Sequence, residues 1–537
     1  MNDLLNFPRG GSASERIDFG SVDTDRFRQL LRWGLWGLGV IVAFAALGWA
    51  RELYTDWLWF RELGYEDVLV KIVTVRGILF AIGLVLVLAL GFFGLRAAAS
   101  ASNRPPLPEA RLEPGDYRIA RGFLVRVAWA AVALGAVFLG LYAASEWETV
   151  LLALSAVPFG ETDPIFGRDF SFYIFTLPAL RLLHGWVLTA VLGLGLVLIG
   201  FHHVTSNLRG DPDWLRGSAR RRLAILGGVL FLLIAVGHWL ARYDLLFSPT
   251  GTVFGVGYTD DHVNLPGRTL LAFVAAAAAV VLILGGLLSR GRRWFAWPVG
   301  AWLVLWILVG MVAPAAVQRL RVEPSELALE RDYLASNIAA TRRAFGLEDL
   351  ASRDHPARGE IEREIVAENQ GTIRNIRLWD EGPLLQSYNQ IQFFRLYYDF
   401  LAVHTDRYTV DGELRQVMLA TRELSAQKLP TEAQRWVNRR LQFTHGYGVA
   451  MTPVTEVRAG GRPAFLVSDV PPVGEIPLER PEIYYGLRSL DYVIARTDMQ
   501  EFNYPGAEGP VYTRYKGGGG VSVGSFFRRL LYAWQFG

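Results

Sequence analysis

A polytopic α-helical membrane bundle of about seven transmembrane helices, followed by a C-terminal extracytoplasmic α+β domain, is the fold class this sequence predicts. The first observation is composition: over 537 residues 52% are hydrophobic and only 20% charged, and the mean hydropathy of +0.24 is high for a water-soluble enzyme. The second is patterning, because seven long apolar runs precede Ala316 with charge confined to short clusters between them. The third is the change at Val317, after which charge is interspersed as in a domain that faces water.

A helix rising 1.5 Å per residue needs about 20 apolar residues to cross the hydrocarbon core. The runs that meet this requirement, or approach it, are 33–50, 77–95, 127–144, 182–201, 223–240, 269–289 and 294–316. The shorter ones are extended by snorkelling flanks such as Arg32, Arg51, Arg96 and Arg242. None contains Asp or Glu, and Trp33, Trp186, Trp239, Trp294 and Trp297 fall near run ends, where indoles favour the interface. These assignments give a cytoplasmic segment at 1–32, a transmembrane domain at 33–316 and an extracytoplasmic domain at 317–537.

Orientation follows from the basic residues in the connections. Alternate loops on one side carry nineteen Lys and Arg and those on the other carry eight, so the richer side is cytoplasmic. Arg220, Arg221 and Arg222, and the turn with Arg290, Arg292 and Arg293, are the strongest markers. With an odd number of crossings, the N-terminus is expected in the cytoplasm and the C-terminal domain outside it. The first apolar run follows a polar segment without a small-residue cleavage site, so it is expected to serve as an uncleaved anchor.

The chain has no cysteine, which excludes disulfides, thiolate metal sites and covalent haem. Its net charge of +3 resides in the membrane half, where basic residues mark topology, and gives no support to nucleic-acid binding. In the C-terminal domain a helix is expected from Pro324 to Phe345 with Gly346 as terminator, others over 431–441 and 525–535, and hairpins at Asp411-Gly412 and Gly460-Gly461. Further strands are expected at 483–485 and 492–495.

Several long stretches carry a family resemblance. They include Trp57-Leu58-Trp59-Phe60-Arg61-Glu62-Leu63-Gly64-Tyr65, Asp169-Phe170-Ser171-Phe172-Tyr173, Val322-Glu323-Pro324-Ser325-Glu326 and Thr444-His445-Gly446-Tyr447-Gly448-Val449. In this order they resemble uncharacterised protein family 0182, bacterial multi-pass membrane proteins. The resemblance implies several transmembrane helices, a plasma-membrane location and a large extracytoplasmic region, and it assigns no activity or catalytic residue. Relatives continue beyond the point where this chain ends, so a C-terminally truncated member is also implied.

Candidate chemistry must therefore be weighed residue by residue. The most attractive cluster is the third outer loop, where His238 and Arg242 close a run and Asp244, Tyr258, Asp260, Asp261 and His262 follow. Asp244, Asp260, Asp261 and His262 are the candidate metal ligands, since carboxylates and imidazole suit a divalent cation or a proton relay; their spacing matches no established metal motif, and interfacial packing is the favoured explanation. For His184 in the fourth run a place on a polar path competes with a helix-facing hydrogen bond, which is favoured, and His202 and His203 are expected at the interface. Lys516 and the four glycines after it lack the Lys-Ser/Thr pair of a phosphate loop. Thr444-His445 has no nucleophile partner nearby in sequence. No cofactor is expected and catalytic residues are not assigned. Two functions remain: a non-enzymatic protein that binds, scaffolds or moves cell-envelope lipid, glycan or protein, which the sequence favours, or a membrane-anchored enzyme acting on envelope lipid or glycan.

Overall fold

The computed structural model describes residues 24–103, 105–108, 113–211, 217–288, 293–354, 362–488 and 492–537. The N-terminal segment to residue 23 and the turn at Arg290 and Arg292 lie outside the described residues. The chain divides into two compact units, Met1–Ala351 with Gly520–Gly537, and Ser352–Gly519.

Among the described residues seven helical stretches are long and apolar enough to cross a membrane, and the seven apolar runs fall on them, with Leu288 just past the end of its helix and Ser289 outside the described residues. In order, the α-helices of this region are α1 (Thr24–Glu62), α2 (Glu66–Ala101), α3 (Pro114–Ser145), α4 (Trp147–Leu154), which is too short to span, α5 (Leu177–Arg209), α6 (Gly217–Ala241), α7 (Leu265–Leu287) and α8 (Arg293–Ile307). The helices outrun the apolar segments because polar flanks such as Glu66-Asp67 at the start of α2 suit a helix N-terminus. Gly64, at φ +76°, makes the turn that separates α1 from α2.

Small residues let these helices approach closely. A Cβ on Gly140 of α3 would come within 3.0 Å of the Phe80 carbonyl oxygen on α2, and one on Gly228 of α6 within 2.9 Å of the Ala279 carbonyl oxygen on α7. Between α6 and α7 the core contains Phe231, Ala235, Ala275, Ala278, Ala279 and Leu282. Such seams are what helices use where lipid is as apolar as Leu and dispersion contact decides association. Two polar side chains are tied to carbonyls of neighbouring helices: Trp186 Nε1 donates to Leu139 O at 3.0 Å and His184 Nε2 lies 2.8 Å from Leu233 O. Large side chains such as Phe93, Phe138, Leu196 and Trp297 point outward and stay exposed.

The seventh helical path runs past the compositional change at Val317. α8 continues through a wide turn at Leu308–Val312, α9 (Ala313–Val317), a second wide turn at Gln318–Val322, a tight turn at Glu323–Ser325 and α10 (Glu326–Ala344). Pro314 and Pro324 each open the segment that follows a wide turn, where the missing N–H costs least. The compact units consequently part between Ala351 and Ser352, 35 residues beyond the compositional change.

The Ser352–Gly519 unit begins with α11 (Arg363–Glu368), α12 (Gln370–Ile373) and α13 (Glu381–Ile391), followed by strands β1 (Tyr398–Phe400), β2 (His404–Val410) and β3 (Glu413–Leu424). Next come β4 (Gly446–Tyr447), β5 (Val449–Pro453), β6 (Val457–Arg458), β7 (Arg462–Pro463), β8 (Val467–Ser468) and β9 (Val473–Gly474). β10 (Glu482–Ile483), β11 (Glu501–Gly506) and β12 (Gly509–Thr513) complete the unit. The main antiparallel sheet has the order β1-β3-β5-β8-β9, with β2 also paired to β3. The β2–β3 hairpin turns at Asp411 (φ 52°) and Gly412 (φ 82°), the two left-handed positions that an Asp-Gly pair supplies. α13 packs Leu384 and Tyr388 on Phe400, Met418, Ala420 and Ala450, and Tyr388 OH donates to Met418 O at 3.0 Å.

Two expected elements differ. The helix over 431–441 is replaced by a tight turn at Thr431–Ala433 and a wide turn at Asn438–Gln442, because the Gln434 amide captures the carbonyls of Leu429 (2.7 Å) and Gln427 (3.1 Å). Residues 492–495 form no strand. Ile494 N instead bonds Arg440 O at 2.8 Å, and Arg440 Nη1 takes Tyr492 O at 2.9 Å. The expected strand at 483–485 shrinks to β10, and α14 (Phe526–Phe536) occupies the expected last helix with Ser525 as its N-cap.

Candidate functional site

The sequence candidates around Asp260 lie in the loop after α6 and in the wide turn Asp260–Asn264 that opens α7. Asp260 is buried and accepts from Asn264 Nδ2 at 2.8 Å, with Thr250 Oγ1 and Gly257 N each at 3.4 Å. Asp261 accepts from Tyr333 OH at 2.8 Å, and His262 stacks on Tyr258 at 4.2 Å with its Nδ1 3.9 Å from Asp261. Asp244 is paired with Arg181. The structure thus joins Asp261 to His262 and directs Asp260 and Asp244 elsewhere; among the described residues no three His, Cys, Asp or Glu side chains converge as a metal site. The cluster ties the loop to α10 and to the wide turn Gln318–Val322: the buried Glu330 of α10 accepts from Tyr258 N at 3.0 Å, and Thr259 Oγ1 donates to Gln318 at 2.5 Å.

The Asp169 stretch is similarly absorbed by its own backbone. Asp169 accepts from the amides of Phe159, Gly160 and Ser171 at 2.8–3.0 Å, and the Ser171 side chain together with these amides holds its carboxyl well below the ordinary carboxylate range. Residues 516–520 make an irregular link between β12 and α14, without the helix N-terminus that a phosphate cradle needs.

The Ser352–Gly519 unit contains a cavity of about 540 Å³ whose wall includes Glu423, Lys428, Arg439, Arg440, Thr444, His445, Tyr484, Arg488 and Tyr492. That volume lies in the range of small-molecule sites. Several elements supply the wall: the end of β3, the wide turn Asn438–Gln442, β4 and the segment after β10. Glu423 is locked in place, accepting the amides of Leu487 and Arg488 at 2.9 and 2.7 Å. Arg488 donates to Asp399 at 2.6 Å, Lys428 pairs with the same carboxylate, and the Arg440 guanidinium lies 4.0 Å over the Tyr492 ring. Arg488, Lys428 and Arg440 are therefore held in place by the fold.

Behind Thr444 and His445 lies a buried polar network. Glu501 accepts from Thr444 Oγ1 at 2.5 Å, Tyr484 OH at 2.7 Å and Tyr515 N at 3.0 Å. His445 places Nδ1 2.9 Å from Thr444 Oγ1 and Nε2 3.1 Å from Asn503 Oδ1. Burial pushes the imidazole below its ordinary pKa, against the opposing effects of Asn503, Glu501 and Glu482. Burial also raises the Tyr484 phenol, helped by its hydrogen bond to Glu501. Both ring nitrogens and the carboxylate are occupied, so the groups a ligand meets are the rim cations and aromatic faces. The Thr444-His445 motif was visible in sequence. Glu501 and Asn503 were not, because their 56- to 59-residue separation from it in the chain is closed only by the fold.

The protein-family model of the uncharacterised protein family UPF0182 matches residues 34–537. A UPF0182 protein of Pelotomaculum thermopropionicum is 38% identical over 520 residues, covering 93% of this chain and 56% of the relative. One from Cupriavidus necator is 40% identical over 526 residues, covering 95% and 56%, and one from Synechococcus sp. (strain JA-3-3Ab) is 39% identical over 534 residues, covering 94% and 60%. The chain therefore spans somewhat over half the length of these relatives. No solved structure matches.

Proposed function

This chain belongs to the uncharacterised protein family UPF0182, and from that premise we propose that it is a multi-pass plasma-membrane protein whose Ser352–Gly519 unit binds or moves a cell-envelope component. The observation that carries the reading is the 540 Å³ cavity, walled by Lys428, Arg439, Arg440 and Arg488 together with Tyr484 and Tyr492. Cations and aromatic rings are what a glycan or an anionic headgroup binds, the rings covering sugar faces and the cations meeting negative charge. The seven helices of membrane length among the described residues and the excess of basic residues in alternate loops support a cytoplasmic N-terminus and an extracytoplasmic position for this unit.

The test is to purify the full chain in mild detergent and identify co-purifying lipids and glycans by mass spectrometry, beside Ala426→Trp, which fills the cavity, and Lys428→Glu at its rim. The parent should retain a defined component that both variants lose. Equal retention by all three, or none by the parent, overturns the reading.

A second reading, a membrane-anchored enzyme acting on envelope lipid or glycan, is favoured by one observation: Thr444 Oγ1 sits between His445 and Glu501 at the cavity wall. It requires that the parent consume the bound component and that Thr444→Val bind without consuming it. The burial of Glu501 and His445, with their polar atoms already hydrogen-bonded, favours binding.

A further inference from the structure

α14 is an amphipathic helix turned inside out with respect to its own protein. Phe526, Phe527, Leu530 and Trp534 form its apolar stripe and are 77%, 59%, 55% and 48% exposed. The partly covered side is instead Arg528, Leu531, Tyr532 and Gln535, at offsets of three, four and seven, which place them on one face. A helix packed in water hides its apolar side and exposes its polar one; here the more polar side is the covered one.

The position of α14 says what covers the stripe. It packs on α1 directly after the apolar run 33–50: the Arg51 guanidinium lies 5.2 Å from the Trp534 ring centroid and Nη1 donates to Trp534 O at 3.3 Å, while Tyr54 meets Phe527 edge-on at 6.1 Å. On that run, which ends at the residue before Arg51, Ile41, Phe44 and Leu47 are exposed as well. Arg51, Tyr54 and Trp57 in α1, and Arg528 and Arg529 in α14, are the residue types that gather at the headgroup level.

We propose that α14 lies in the membrane–water interface, its Phe526–Leu530–Trp534 stripe against lipid acyl chains and its arginines among the headgroups. The partner is a phospholipid surface, and the inference rests on the reading of α1 as a membrane span. The full cysteine-free chain is given single cysteines at Leu530, Phe526, Arg529 or Phe44, spin-labelled, and reconstituted in phosphatidylcholine–phosphatidylglycerol vesicles. Collision with oxygen, which concentrates in lipid, is compared with collision with a water-soluble nickel chelate. Labels at Leu530, Phe526 and Phe44 should favour oxygen and the label at Arg529 the chelate. Phe44 favouring oxygen while Leu530 and Phe526 favour the chelate places α14 in water and overturns the proposal alone. Labels at Leu530 and Phe526 that are immobilised and reached by neither probe show cover by protein, from a second copy or another segment, and also overturn it. A chelate preference at Phe44 as well removes the membrane reading of α1 itself.

Discussion

The helical unit and the Ser352–Gly519 unit solve the burial of polar groups in opposite ways. In the first, helix hydrogen bonds satisfy the backbone locally, the seams are glycine and alanine, and large apolar side chains such as Phe93 and Leu196 face outward. In the second, short strands leave turns and loops to be satisfied by side chains, and Arg422, Glu423, His445 and Glu501 are all buried. Arg422 shows the cost: its guanidinium donates to Tyr447 O and Gln392 Oε1 at 3.0 and 3.1 Å, yet burial pulls its pKa down to about 10. One unit tolerates changes of polarity on its surface poorly and the other tolerates loss of a buried partner poorly.

The contrast can be broken most forcefully at Glu501. Glu501→Ala removes the shared acceptor of Thr444 Oγ1, Tyr484 OH and Tyr515 N and should destabilise the Ser352–Gly519 unit by about 3–5 kcal/mol. Protease resistance of that unit in the full chain would report it, and unchanged resistance would show the network to be dispensable. In the helical unit the equivalent injury is steric. Gly228→Val, which drives a side chain toward Ala279 O, should cost about 1–3 kcal/mol, read as a lower melting temperature in detergent.

A smaller effect should follow pH through His445. Its folded pKa lies below the ordinary 6.5, so the unfolded chain binds the proton more readily. The stabilising contribution is therefore complete above that value and is lost progressively as pH falls below it. His445→Gln should flatten the fall in melting temperature between about pH 6.5 and the lower folded pKa; an unaltered slope would assign it to another group. The least perturbing experiment sharpens the comparison without touching stability. Single cysteines at Ser100 and Ser352 should respond oppositely to a membrane-impermeant thiol reagent in intact cells, Ser352 labelling and Ser100 not. Any other pattern defeats the proposed orientation.

By itself the sequence determined what local physics controls. Seven apolar runs had to become seven helices because a backbone in hydrocarbon satisfies itself only in regular structure, and Asp411-Gly412 had to turn because few residues accept two left-handed positions. Ser525 likewise announced the start of α14. Tertiary structure alone decided the rest. It carried the seventh helix beyond Val317, since a composition change does not end a helix whose hydrogen bonds continue. It paired Asp244 with Arg181 and Asp260 with Asn264, partners that their spacing in the chain does not announce. It brought Glu501 and Asn503 to Thr444-His445, and it turned the apolar face of α14 outward. Each of these depends on which distant group reaches a polar atom first, and one chain's local pattern contains no term for that competition.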